Sequence, residues 1–452
     1  MFKRLLAGSI VMGFIIAFSV QNGGADDPKW REHQQARFEE TGLKPGEVIT
    51  KADWNRVDGL LPPEILEWVK KDYIELKIGE FKYNPSHDSK WMNDKRNAGK
   101  FKLNAKKRLV EVATAKSPLW MWGEPFPDLD IRNDPDGAIK LMYNREINMQ
   151  RMGSSHWVFT MEWIGDKGFE RGLWCHCQYY FYWARPDGQV PNQNRVQYMD
   201  TVSCLKPFDL AGTAVMSIRK LDGKGDESYA YIPAIRRTRR LSGANRTDPW
   251  MGSNISVDDG CGYAGLIHSM EWKFIEEKTG LISVDDWVAE HTCKMKEVSP
   301  GCWKNEPGGD SMRMGWQIEG WKKAKWAPID VVWIPRTVIV IEAKSLDPYY
   351  NYGPTTFWID KEMYWINYKV ISDRAEEYWK TLIQWPRVFE WAESRGVQRG
   401  ESACLMVDEK LKRATAAHVH GTRQGLKMWI EFNSPEVNRS TFTVERLRMG
   451  SK

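Results

Sequence analysis

The chain has 452 residues, with 65 Lys and Arg against 60 Asp and Glu, a formal net charge of +5. Apolar residues make up 42% and charged residues 28%, which excludes wholesale disorder, a collagen-like repeat and a polytopic membrane protein. So small a basic excess predicts no nucleic-acid partner. The outlier is tryptophan, at 24 residues, which points to aromatic-lined surfaces or a cavity as well as a core.

From Met1 to Val20 the only charges are Lys3 and Arg4, and an apolar run is followed by small residues and then Asp26 and Asp27. This is the layout of a secretory signal peptide over 1–25, with cleavage after Ala25 and a periplasmic destination. The competing reading, an uncleaved anchor, has a run somewhat short of the roughly 20 residues a spanning helix needs. Residues 26–75 read as a helical arm, Lys29 to Glu40 and then a helix opened by Pro62 and Pro63. Residues 76–452 read as one large β domain with loop or helix insertions near 263–325. From Trp157 onward the pattern is period two. Trp157, Phe159 and Trp163 share one face of a strand, and Tyr179, Phe181 and Trp183 share a face of the next. Further strands are predicted at 196–203, 213–220, 228–232, 337–344, 356–360, 364–372 and 427–433. Helices do not alternate with them, so the fold class is mostly β, a curved antiparallel sheet and not a doubly wound α/β fold.

Export permits disulfides among the seven cysteines. Cys293 and Cys302 flank a short loop and are expected to bridge. Cys177 and Cys204 flank a turn-rich stretch and form a second candidate, with Cys175 as the alternative to Cys177. An odd total leaves one thiol unmatched.

His176 between two cysteines, and His418 with His420, have i, i+2 spacing that two metal ligands on a strand would use, but so short a pattern is nonspecific, and no metal or other cofactor is expected. Asp258 and Asp259 suit acid/base work or calcium, and equally a solvated turn. No nucleophile elbow, phosphate loop or dinucleotide fingerprint occurs, so no catalytic residue is assigned. Arg237 and Arg239, in a run of four arginines, are candidates for contact with an anionic headgroup or partner; intramolecular salt bridges to Asp248, Asp258 or Asp259 are the alternative.

The stretch Tyr231-Ile-Pro-Ala-Ile-Arg-Arg-Thr-Arg-Arg followed by Asp258 and Asp259 resembles a large bacterial family of exported proteins of unknown function, described as outer-membrane lipoprotein-sorting-like. Gly123-Glu-Pro-Phe-Pro with Asp134-Pro-Asp-Gly and Tyr143-Asn agrees with it. So do Arg336-Thr-Val-Ile-Val-Ile-Glu-Ala with Asp347-Pro-Tyr, and Phe357-Trp-Ile-Asp-Lys-Glu-Met-Tyr-Trp with Ser372-Asp-Arg-Ala. The resemblance spans about Lys44 to Trp379. It implies a lipoprotein-carrier-like fold, an incomplete β-barrel whose open side is closed by helices over an apolar cavity. It also implies relatives often encoded near envelope exporters of the resistance-nodulation-division type and outer-membrane proteins. The expected function is therefore periplasmic binding or shuttling of a hydrophobic or amphiphilic, lipid-like molecule. An inner-membrane exporter or outer-membrane protein is the further partner. The cavity candidates are Trp157, Phe159, Trp163, Tyr179, Phe181 and Trp183. Two other classes stand beside this one: an accessory subunit docking on a transport complex, and a hydrolase or metalloenzyme.

Overall fold

The computed structural model describes residues 29–86, 94–241, 246–305, 308–391 and 397–449; the expected signal peptide lies outside them. The N-terminal arm holds α1 (Lys29–Thr41) and α2 (Pro63–Lys70). In α2 proline opens the first turn, Glu64 follows it and Lys70 closes the last, matching the helix dipole. Ile65, Leu66, Trp68 and Val69 form its buried face. Two short ribbons accompany the arm: β1 (Val48–Ile49) with β2 (Leu76–Lys77), and β3 (Phe101–Leu103) with β4 (Leu109–Glu111). Helix α3 (Gly137–Met149) follows the Asp134-Pro-Asp turn.

A first antiparallel meander then runs through β5 (Ser154–Gly165), β6 (Gly168–Phe181), β7 (Val196–Lys206), β8 (Ala214–Lys220), β9 (Glu227–Ile232) and β10 (Arg237–Leu241). After β11 (Met270–Asp285), the short helix α4 (Asp286–Glu290) and the hairpin β12 (Cys293–Ser299) and β13 (Cys302–Asn305), a second meander follows. It comprises β14 (Val331–Ser345), β15 (Thr355–Asp360), β16 (Trp365–Ser372), β17 (Tyr378–Trp391), β18 (Val397–Asp408) and β19 (Arg413–His418). The chain ends with the ribbon β20 (Thr422–Arg423) and β21 (Leu426–Lys427), then β22 (Ile430–Phe432) and α5 (Val444–Met449).

Pairing of β19 with β5 joins the two meanders into one sheet. Its order is β10-β9-β8-β7-β6-β5-β19-β18-β17-β16-β15-β14-β11, and the edges β10 and β11 do not meet. The sheet is therefore curved and open, not a closed barrel, and the chain is mostly β as expected. A second route from β5 to β17 runs through β22, β13 and β12, the last pairing with β17 in parallel.

Both faces of the sheet are covered, so β14 is apolar almost throughout instead of alternating with polar residues. Val338 and Val340 pack on one side with Trp30, Phe38 and Trp68 of the arm. Ile339 and Ile341 pack on the other with Ile139, Met142 and Ile147 of α3. The face that carries α3 is the inner face.

The stretch expected as loop or helix insertions near 263–325 holds strands as well as the short helix α4 and the irregular run at 308–330. Residues 270–285 form β11, the second edge of the sheet, and 293–305 form a hairpin. The alternation of Met270, Trp272 and Phe274 is interrupted by a register shift between Phe274 and Glu276, which hides the period in the sequence.

Candidate functional site

The inner face of β5 and β6 meets α3 around a cavity of about 90 Å³. One wall is a stack of rings. Trp157 lies on Tyr179 with centroids 5.2 Å apart, Tyr179 on Phe181 at 5.2 Å and 11°, and Tyr198 of β7 leans against Phe181 at 6.0 Å. Met149, Met152 and Ile430 complete the apolar lining. The strand register causes this: Trp157 faces Cys177 across β5 and β6, and Phe181 faces Tyr198 across β6 and β7, so all four rings leave the sheet on one side.

The opposite wall is charged. Arg145 and Glu146 come from α3, Arg219 from β8, Arg387 from β17 and Glu401 from β18. Arg145 donates to the carbonyls of Cys261 and Tyr263, tying α3 to the turn that covers the cavity. Arg387 is 0% exposed and donates from Nη1 to the Val419 carbonyl at 3.0 Å, while its Nε and Nη2 have no partner. Burial pulls the Arg387 guanidinium down to about 10 and raises the carboxyls of Glu146 and Glu401. Cys261 also lines the cavity, but burial pushes its thiol up to about 12, far from the thiolate that a nucleophile requires.

Beyond this wall lies a buried ion-pair chain. Asp226 accepts from Arg219 at 2.9 and 2.8 Å and from Arg246 at 2.5 Å, and Arg246 continues to Asp258 at 2.5 Å. Tyr350 donates to Asp258 at 2.8 Å. Asp259 binds Lys369 at 2.6 Å and the Tyr352 hydroxyl at 2.8 Å. Asp258 and Asp259 are each 2% exposed, so they are neither a solvated turn nor partners of Arg237 and Arg239.

Of the six aromatic candidates, Trp157, Tyr179 and Phe181 line the cavity. Phe159 and Trp163 share the face of Trp157 but lie farther along β5, where the loop at 250–255 covers the sheet. Trp163 is fully buried, its indole N–H donating to the Gly252 carbonyl at 2.8 Å. Trp183 follows the end of β6 and donates to the Pro118 carbonyl, packed in the α3 core. Arg237 and Arg239 are exposed on the edge strand β10, outside the cavity. The cavity arginines Arg145 and Arg387 carried no sequence signal. Neither lies in a motif or a charge cluster, and only the tertiary fold makes them neighbours of one void.

The histidines do not converge: His176 faces His156 at 3.1 Å, His418 faces Ser311 at 3.0 Å, and His420 lies beside Cys293. Among the described residues no group of three or more His, Cys, Asp or Glu could hold a metal ion.

All seven cysteines are free thiols, and both expected bridges are corrected. In the β12–β13 hairpin Cys302 sits against Ser299, whereas Cys293 faces Phe389 of β17. Six residues of strand, about 20 Å, separate the two sulfur-bearing positions. Across β6 and β7 a register shift after Trp174 places Cys175, not Cys177, opposite Cys204, and Cys177 faces Val202. The Cys204 hydrogen bond and burial raise the Cys175 thiol. Directly opposed residues have Cα atoms about 4.5–5.5 Å apart, inside the disulfide range. Non-reducing peptide mapping after exposure to oxidised glutathione is therefore expected to find Cys175 linked to Cys204. Cys293 and Cys302 should remain unlinked; a Cys293–Cys302 peptide would contradict the hairpin register.

The chain thus folds as an open, curved, mostly antiparallel sheet with α3 packed over its inner face and an amphipathic cavity between them. The chain belongs to the family described as "Protein of unknown function (DUF1329)", which it matches over residues 48–448. It is similar to a solved DUF1329 family protein from Desulfovibrio piger, with 12% identity, 70% of this chain and 100% of that one covered, and a TM-score of 0.45. A domain from Vibrio parahaemolyticus, provisionally described as an outer membrane lipoprotein-sorting protein, shows 14% identity over 70% and 100% of the two chains with a TM-score of 0.47. A LolA superfamily protein from Nitrosomonas europaea shows 9% identity over 67% and 98% with a TM-score of 0.37. No curated protein matches the chain.

Proposed function

We propose that this chain binds an amphiphilic, lipid-like molecule with an anionic head in the bacterial envelope, as a carrier and not as a catalyst. The observation that carries the reading is Arg387: a fully buried guanidinium with two unpartnered nitrogens, facing a stack of aromatic rings across one cavity. An unpaired buried charge is strongly unfavourable, and an anion from a ligand would relieve it. Burial favours the neutral forms of Glu146 and Glu401, which leaves Arg387 and Arg145 to that anion. The rings supply rigid apolar contact for the tail. The cavity, at about 90 Å³, is small beside the few hundred Å³ of a typical ligand pocket, so uptake requires the lining to yield. Met149 and Met152, unbranched and adaptable, are the side chains suited to moving aside. In this reading the N-terminal signal delivers the chain to the periplasm, where an inner-membrane exporter or an outer-membrane protein loads or receives the molecule.

A second reading, a non-catalytic subunit docking on an envelope transport complex, is favoured by the exposed arginines of β10. Native mass spectrometry with lipid extraction, on protein purified from the periplasm, separates the two. The expected result is a co-purifying anionic amphiphile that disappears in Arg387→Met. That variant should fold normally, because it replaces a fully buried guanidinium that makes one hydrogen bond, to the Val419 carbonyl, by an apolar side chain of similar length. A wild type that carries nothing and binds no fluorescent fatty acid would overturn the carrier reading.

A further inference from the structure

We infer that the end of the sheet formed by the β7–β8 and β9–β10 turns is a docking surface for an anionic lipid bilayer. Ser203 of β7 faces Ala214 of β8, and Ala214 faces Tyr231 of β9, so the turns at 207–213 and 233–236 leave the sheet at one end. They touch: a Cβ added at Gly212 would lie 3.3 Å from Cγ of Pro233. Phe208, at the tip of the first turn, is 96% exposed, and Ile235 in the second is 47% exposed. Leu210 packs inward behind Phe208 and anchors the tip.

Cations surround these two side chains. Arg236, Arg237, Arg239 and Arg240 are all exposed, and no ion pair to any of the four occurs among the described residues. Lys206 stands over the Trp174 ring at 4.1 Å, and Arg448 of α5 reaches the Thr238 hydroxyl at 3.2 Å, extending the basic surface around β10. Asp209, beside Phe208, is the one acid in the first turn. Elsewhere the arginines that shape the fold are engaged: Arg219, Arg246 and Arg336 all hold carboxylates.

Charges on an edge strand also deter pairing with another strand, and β10 is such an edge. That role accounts for the arginines and leaves Phe208 unexplained. A protruding, almost fully exposed phenyl ring on a turn flanked by cations suits the interface of an anionic bilayer, where the ring enters the acyl boundary and the arginines meet phosphates. An acidic protein fits less well. Such a partner needs a contiguous patch of about 800 Å² on each side, and here the large exposed apolar groups are two separate tips. This surface does not depend on the cavity, which lies toward the other end of β6: Phe181 is six residues from Cys175, about 20 Å along the strand.

The test is co-sedimentation of the mature chain with vesicles of phosphatidylcholine alone and of phosphatidylcholine mixed with phosphatidylglycerol. Binding is expected to the mixed vesicles only, and to fall as salt is raised. Arg237→Ala with Arg239→Ala should weaken it roughly tenfold or more. Phe208→Ser should weaken it as well, and because both sites are exposed the thermal unfolding of the variants should match that of the wild type. Soluble glycerol phosphate should not compete, which separates a bilayer from a free phosphate ligand. Absence of binding to the mixed vesicles would overturn the inference. So would binding that ignores Phe208→Ser, or loss of binding to glycerol phosphate.

Discussion

Replacing Asp226 by alanine is expected to cost about 3–5 kcal/mol of folding stability, measured by chemical denaturation. Asp226 is 8% exposed and is the shared acceptor of two buried guanidiniums, those of Arg219 and Arg246. Burial alone would raise its carboxyl, but the two arginines outweigh that and hold it below the usual range. Without it Arg219 keeps the carbonyls of Ala264 and Gly265 and a 3.6 Å approach to Glu146, and Arg246 keeps Asp258. Two cations would then share too little counter-charge in a region closed to water. A loss below about 1 kcal/mol would mean that water reaches the pair, since that is the value of an exposed ion pair. The acid limb of the stability profile reads the neighbouring contact. Burial works against the Asp259 carboxylate too, yet Lys369, Lys380 and the Ser256 amide hold it at about 2, against 3.8 for the free group. The folded value lies below the unfolded one, so this stabilisation is complete above pH 4 and disappears as the pH falls through about 2.

The strands that could be read from the sequence are those with one polar face or a clear turn at each end. Trp157 to Trp163, Tyr179 to Phe181 and the stretch at 228–232 alternate, and they form β5, β6 and β9 where expected. Strand β17 is covered on both sides, with Leu382, Ile383, Trp385, Val388 and Phe389 all buried, so no period survives, and it lacks the β-branched run from Val338 to Ile341 that marks the doubly covered β14. Strand β19 has three alanines and one threonine between Arg413 and His418, which carry little hydrophobic signal. Helix α3 was missed for a related reason, since it is buried nearly all round and shows no amphipathic stripe. It brings Arg145 and Glu146 to the polar wall of the cavity, and the unread β17 and β18 bring Arg387 and Glu401, so much of that wall escaped the sequence. The stretches that carry the family resemblance turn out to pin the fold together. Glu124 accepts from Asn144 and Asn148 of α3, and Arg336 grips Asp360 at 2.8 and 3.2 Å. Cysteine pairing failed as a reading because loop length says nothing of register: the tight turn after Ser299 leaves Cys293 at the far end of its strand.

Phe181→Ala should lower stability by about 3 kcal/mol, the lower end of the range for deleting a buried phenyl ring. The ring is 6% exposed, stacks on Tyr179 and meets Tyr198 and Met152, so much of its surface is packed against neighbours. Its remaining side faces the cavity and has no contacts to lose, which keeps the cost from reaching the upper end. The deletion would also merge the space of the ring with the existing void and leave a larger apolar chamber beneath the arginines. An environment-sensitive apolar dye should therefore bind the variant more tightly than the wild type, and dye in excess should return part of the lost stability, because a ligand that binds only the folded state stabilises it by mass action. Denaturation with and without dye measures both effects. The wild type is the decisive control. If it takes up dye fully while Phe181→Ala costs less than about 1 kcal/mol, the ring borders open space in solution, and Met149 and Met152 already stand aside without a ligand. If the variant loses the full 3 kcal/mol and neither protein binds dye, the rings are core and the charged wall behind them has no tail to accompany an anion. In that case Arg387 marks a site for a small anion alone, and the carrier reading gives way to the docking subunit.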